Sequence, residues 1–237
     1  MNSDQRGEPC AYVGVDLSDR YAKTQRPVWV CGLDLEDGRA QARFWRWHWP
    51  VSGEPLDVEP LLPELRAARV AVMVGPQGLA RPGNAQRRAE ALSPSRRRSP
   101  DHLPALGRPY AGLIRSSVEL FAALYSAGLR VSPNGLRFGV SETSPDSFWA
   151  QFEGAPKKTS KAGVLARRAI LAALGLCMTD ERALTHDHCD AALAAITAAA
   201  ADGAIQGVHV VARGDSVSRG SDGFLREGPI IELKLNG

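Results

Sequence analysis

Apolar and polar positions along the chain alternate between two periods. Residues 11–17 (AYVGVDL) form a short apolar run that closes on an acid, the pattern of a buried strand delivering Asp16 at its C-terminal end. Residues 27–35 and 42–49 read as two further strands, with turn residues at 36–38 between them, so the three predict an antiparallel meander. Residues 70–74 (VAVMV) are apolar without alternation, which predicts a strand covered on both faces. A fifth strand is expected over residues 136–141, running into Glu142, and a terminal one over 230–235.

Helical spacing takes over between these runs. Residues 56–69 carry Leu61, Leu62 and Leu65 and predict a short amphipathic helix despite Pro60 and Pro63 near its start. Residues 114–127 place Ile114, Val118, Phe121 and Leu124 or Tyr125 at helical spacing and stop at Gly128. Residues 160–174 and 187–201 predict two more helices, closed by Gly175 and by Asp202-Gly203. A meander followed by strand–helix–strand crossovers predicts an α/β chain with a mixed five-stranded sheet of order 3-2-1-4-5 and flanking helices. The stretch at about residues 75–113, rich in Gly, Pro and Arg, exceeds ordinary connections and is expected to be functional, flexible or both. No internal repeat is evident. Residues 1–10 are expected to be disordered, and 11–237 to form a single domain carrying the basic loop as an insertion.

With 237 residues, 44% hydrophobic and 23% charged, the composition is that of a globular protein. The start lacks a signal-peptide pattern and the longest apolar run, 191–201, is too short to cross a bilayer, so a cytoplasmic protein without a membrane partner is expected. Cys10, Cys31, Cys177 and Cys189 lie apart with no C-x-x-C pair, which fits buried thiols in a reducing compartment rather than a zinc knuckle. A net charge of +3 argues for a nucleic-acid partner only if it is clustered, and it is. Arg81, Arg87, Arg88, Arg96, Arg97 and Arg98 fall in the long loop, and Lys157, Lys158, Lys161, Arg167 and Arg168 form a second group. Both groups could track a phosphate backbone, or form a solvated surface. Trp45, Trp47 and Trp49 alternate along the third strand, as stacking platforms for bases or as core.

Four acidic residues at three places along the chain carry the candidate chemistry. Asp16 ends the first strand, Glu142 follows the fifth, and Asp187 with Asp190 opens the last long helix. Strand C-termini in such a sheet share one edge, and residues i and i+3 project from one helix face. Clustered carboxylates raise each other's pKa, so a hard divalent cation, magnesium or manganese, is their natural partner. His186 and His188 flank these acids, and His186 is spaced to reach Asp190.

YVGVDLS, VGPQGLA, SETSP with DSFW behind it, PKKTSKAGVLARRAILAALGL and THDHCDAALAAITA occur in this order and span most of the chain. Together they resemble the successive motifs of the predicted RNase H-like nucleases grouped as domain of unknown function 429. The H-D-x-x-D-A helix start is similar to that of RuvC-type junction resolvases. The resemblance implies an RNase H-like fold, nucleic-acid binding and metal-dependent phosphodiester hydrolysis, with Asp16, Glu142, Asp187 and Asp190 as catalytic metal ligands. The chain departs from the pattern at one point, because Val74 stands where the family carries an acid at the end of the fourth strand. The carboxylate set is therefore incomplete: either Glu142 takes over, or a single ion is held. An inactive nucleic-acid or protein binding module is the first alternative. An actin-like phosphotransferase is the second, although the second glycine-rich phosphate loop and the adenosine motif it needs are missing from the sequence.

Overall fold

The computed structural model describes residues 9–36, 39–50, 54–94, 97–131, 139–152, 154, 156–178 and 184–236. The meander forms as its alternation requires. β1 (Tyr12–Asp16) pairs antiparallel with β2 (Val28–Glu36), which pairs along its whole length with β3 (Arg39–Trp47). β4 (Val70–Val74) lies parallel to β1 on its other side, and β5 (Val140–Thr143) lies parallel to β4. Among the described residues the sheet has eight strands rather than five. β6 (Leu176–Met178) extends it beyond β3, while β10 (Ile230–Leu235) and β7 (Val208–Arg213) extend it beyond β5, giving the order β6-β3-β2-β1-β4-β5-β10-β7; β8 (Ser218–Arg219) and β9 (Leu225–Arg226) pair separately as a short ribbon. The additional β6 and β7 are short or carry weak alternation, which hides them in the sequence. Residues 136–138 of the expected fifth strand lie outside the described residues.

Helices cover both faces, so β4 is buried at every position. On one face α1 (Leu62–Ala67) and α3 (Ala111–Ser126) supply Leu62, Leu65, Leu120, Phe121 and Leu124 against Val13, Val15, Ala71 and Met73. On the other, α4 (Pro145–Trp149), α5 (Lys161–Ala173) and α6 (His186–Ala201) pack against Tyr12, Val70, Val72 and Val74. Ser160 caps α5 by accepting the Gly163 N–H at 3.0 Å. Buried from His188 to Ala201, α6 is largely alanine, and small side chains let a helix lie close to a sheet. Among the described residues no helix is long and apolar enough to cross a membrane.

The long basic loop is anchored in its described part. Leu79 exchanges backbone hydrogen bonds with Leu225 and Glu227, and a short helix, α2 (Arg88–Leu92), sits within it. Trp47 and Trp49 are buried core residues, ring centroids 4.7 Å apart, and Trp49 Nε1 donates to Ser18 Oγ at 2.8 Å. Trp45 packs partly buried against the same core, so the tryptophan row builds the interior. The four cysteines are free; Cys10, Cys31 and Cys189 are buried, whereas Cys177 is exposed, contrary to expectation.

Candidate functional site

One glycine sets the site. In β1 the side chains of Val13 and Val15 enter the α3 core, so Tyr12, Gly14 and Asp16 face α6. A Cβ on Gly14 would stand 2.2 Å from both Ala191 O and Ala195 N, so only the bare backbone lets α6 press against the strand. That approach sets Asp16, at the end of β1, against the first turns of α6 and its Asp187 and Asp190. The three carboxylates line a cavity of about 360 Å³ together with Val74, Arg26, Arg97, Tyr110, Asp146 and Lys158.

Each acid has a distinct environment. Asp190 is buried; Trp149 Nε1 donates to its Oδ1 at 2.8 Å, and Lys158 Nζ stands 3.4 Å from its Oδ2. Trp149 is in turn covered by the Arg167 guanidinium, 5.2 Å from a ring centroid, and Arg167 is held by the carbonyls of Pro156 and Gly163. Asp187 pairs with Arg26 at 3.1 Å and with His186 Nε2 at 3.0 Å, so His186 turns to its neighbour rather than to Asp190. His188 closes the helix start on Thr185 and stacks 3.7 Å from the Trp29 ring, a structural role. Asp16 has no hydrogen-bond or ion-pair partner among the described residues.

The electrostatics follow from this. Burial, then Asp190 and Asp187, push the Asp16 carboxyl well above the usual range, against the pull of Lys158 and Arg97. Burial also raises Asp190, opposed by Lys158 and the Trp149 N–H. Burial alone would lower Lys158, yet Asp190, Asp146 and Asp16 outweigh it and hold the ammonium above its ordinary value. Lys158 is therefore a charged, partly buried cation placed at an excess of negative charge.

Glu142 does not join this site. Its register partner on β4 is Met73, whose side chain enters the α3 core, whereas Asp16 pairs with Val74 and Val74 with Thr143. Alternation thus turns Glu142 to the opposite face, and the residue of β5 in the Asp16 row is Thr143. There Arg87 holds Glu142 in a fork at 2.6 and 2.8 Å, and the Gln77 N–H donates at 2.9 Å. Burial raises Glu142, with Arg87 pulling against it, and the fork is the geometry of an ionised pair. Arg87 also binds Glu90 at 3.0 Å. It is fully buried and unavailable to a phosphate backbone, which corrects its place among the binding residues.

The remaining basic residues divide. Arg97 and Lys158 line the cavity. Arg81 and Arg88 are exposed and share Asp215, at 2.7 and 3.5 Å. Arg98, Lys157 and Lys161 are exposed away from the cavity lining, Arg167 is buried under Trp149, and Arg96 lies outside the described residues. Sequence reasoning missed Arg26, Tyr110, Asp146 and Trp149. Only the aromatic in DSFW left a signal, since a tryptophan beside a cluster of acids has an N–H to donate.

No family model, curated protein or solved structure matches the chain.

What the cavity can do rests on its donors. Among the described residues no three His, Cys, Asp or Glu side chains stand at ligating spacing. Magnesium needs fewer, since it is commonly held by one or two carboxylates, with waters and substrate phosphate completing its shell. An unpartnered Asp16 facing Asp190 fits such a set, and Arg97, Arg26 and Lys158 at the walls suit an anionic ligand.

Proposed function

We propose that the chain is an RNase H-like nucleic-acid-binding protein that hydrolyses phosphodiester bonds with a single magnesium or manganese ion. The observation that carries this reading is the pairing of unpartnered Asp16 with Asp190 in a cavity whose walls bear Arg97 and Lys158. The run β3-β2-β1-β4-β5 within the sheet supports the fold assignment. Asp16 and Asp190 would hold the ion, and when bound it supplies Lewis-acid chemistry at a phosphoryl oxygen. Trp149 orients Asp190, as hydrogen-bonded outer partners orient metal ligands generally. Lys158 and Arg97 neutralise the phosphate. Val74 puts no acid beside Asp16 in its row, Glu142 is sealed on the far face, and Asp187 is already tied to Arg26 and His186, so the carboxylate set suits a single ion.

A second reading, binding without hydrolysis, is favoured by the same Val74 and by Lys158, which already compensates Asp190. Calorimetry with magnesium and manganese, alongside cleavage of labelled DNA and RNA, separates the two. Hydrolysis predicts one ion per chain, lost in Asp16→Asn, with cleavage that follows occupancy. Val74→Asp should bind the ion more tightly and melt lower in chelator, because a carboxylate added beside Asp16 is repelled until a cation arrives. Two ions in the wild type would overturn the single-ion site, and binding of nucleic acid without cleavage at saturating metal would establish the second reading.

A further inference from the structure

Tyr110 is the residue of the cavity that the fold itself does not explain. It precedes α3 with φ 61° and ψ 0°, the left-handed region that glycine occupies without strain. A side chain there strains the backbone, a cost that something else must offset. Core packing does not offset that cost, because Tyr110 is 50% exposed. Nor does hydrogen bonding, since its side chain has no hydrogen-bond or ring partner among the described residues. Backbone strain kept at a cavity is a pointer to function, and what Tyr110 contributes here is an open aromatic face beside cationic groups.

Resting on the nucleic-acid reading above, we infer that Tyr110 is a stacking platform for one unpaired nucleobase, and that the substrate class of this cavity is single-stranded nucleic acid. Arg26, Arg97 and Lys158 line the same cavity among its five aspartates, and they are the groups that a phosphate beside the stacked base would contact. At about 360 Å³ the cavity falls within the range that accommodates small ligands, about 300–1,000 Å³, and it takes a nucleotide-sized piece rather than a helix. Bases in a continuous duplex are stacked inside, and a base reaches an aromatic wall in such a cavity only after leaving its stack. A single strand has no such barrier, and every base has a face to offer the ring.

The inference separates from the hydrolytic reading when binding is measured in chelator, where no metal acts. The probes are a fluorescein-labelled single-stranded oligothymidylate and a duplex of the same length, titrated with wild type, Tyr110→Phe and Tyr110→Gly. The wild type should prefer the single strand, and Tyr110→Phe should retain that preference. Tyr110→Gly should weaken single-strand binding about 5- to 150-fold, the equivalent of losing one stacked base, and leave duplex binding unchanged. Its thermal midpoint should hold or rise, because glycine relieves the strained backbone. A structural tyrosine gives the opposite signature, with midpoint and affinity falling together, and that result overturns the inference. So does unchanged single-strand affinity in Tyr110→Gly, or a wild type that prefers duplex, and either leaves the hydrolytic reading standing. Loss of cation binding or cleavage with the Tyr110 dependence intact removes only the hydrolytic reading.

Discussion

The chain ends two neighbouring rows of its sheet in carboxylates and treats them in opposite ways. On the α3 face, Glu142 and Glu90 are closed around Arg87, with the Gln77 N–H also donating to Glu142 and the Ser99 N–H to Glu90. On the α6 face, Asp16 and Asp190 line an open cavity beside Gly14, with the flexible Lys158 ammonium on Asp190 and Arg97 acting on Asp16 as well. A guanidinium has a planar fork that matches a carboxylate and leaves no room for a second cation. An ammonium on a four-carbon stem is a point charge that can move aside. The first centre is thus a strut joining the long loop to β5, and the second is a place where something else can bind.

The largest effect should come from breaking the strut. Arg87→Met leaves Glu142 and Glu90 buried without a counter-charge, and loss of one partner of a buried pair costs about 3–5 kcal/mol. Urea denaturation should show this loss, and adding Glu142→Gln with Glu90→Gln should restore much of it. Lys158→Met should cost clearly less, since Lys158 is 40% exposed and Asp190 keeps its bond to Trp149. Equal costs would erase the distinction between strut and site.

Trp149→Phe tests the open centre without touching a carboxylate. It keeps the ring beneath Arg167 and removes the N–H on Asp190. Outer-partner losses of this kind weaken metal binding about 10- to 100-fold, so manganese titration should weaken by that factor. Unchanged affinity would mean that Asp190 is not a ligand.

The smallest effect is on stability against pH. Asp16 is raised in the folded protein, so its contribution is fully present below the unfolded value of about 3.9 and is lost as pH rises through the higher folded value. Asp16→Asn in chelator should therefore melt higher than wild type at pH 8, by about 2–4 °C for each kcal/mol of repulsion relieved, with the gain shrinking toward pH 4. A gain that persists undiminished at low pH would show that charge is not its cause.

Element type was legible wherever the pattern was strong. The terminal strand at residues 230–235 and the helix expected over 187–201 form within a residue of their expected bounds, because the alternation of IIELKL and the apolar run of the helix with its Asp202-Gly203 stop leave little alternative. Strands β6 and β7 escaped because short edge strands carry few buried positions. The sequence by itself determined that Asp16 ends a strand, that Asp187 and Asp190 open a helix, and that an apolar residue, Val74, closes the fourth strand, since each depends only on local period. Tertiary structure decided the rest. Whether Glu142 or Thr143 shares a face with Asp16 turns on one step of register, because successive strand side chains point to opposite sides. Whether Arg87 is surface charge or buried strut, and whether Tyr110 reaches the cavity at all, depends on where an anchored loop comes to rest against residues far along the chain. Local composition carries no record of those distant partners.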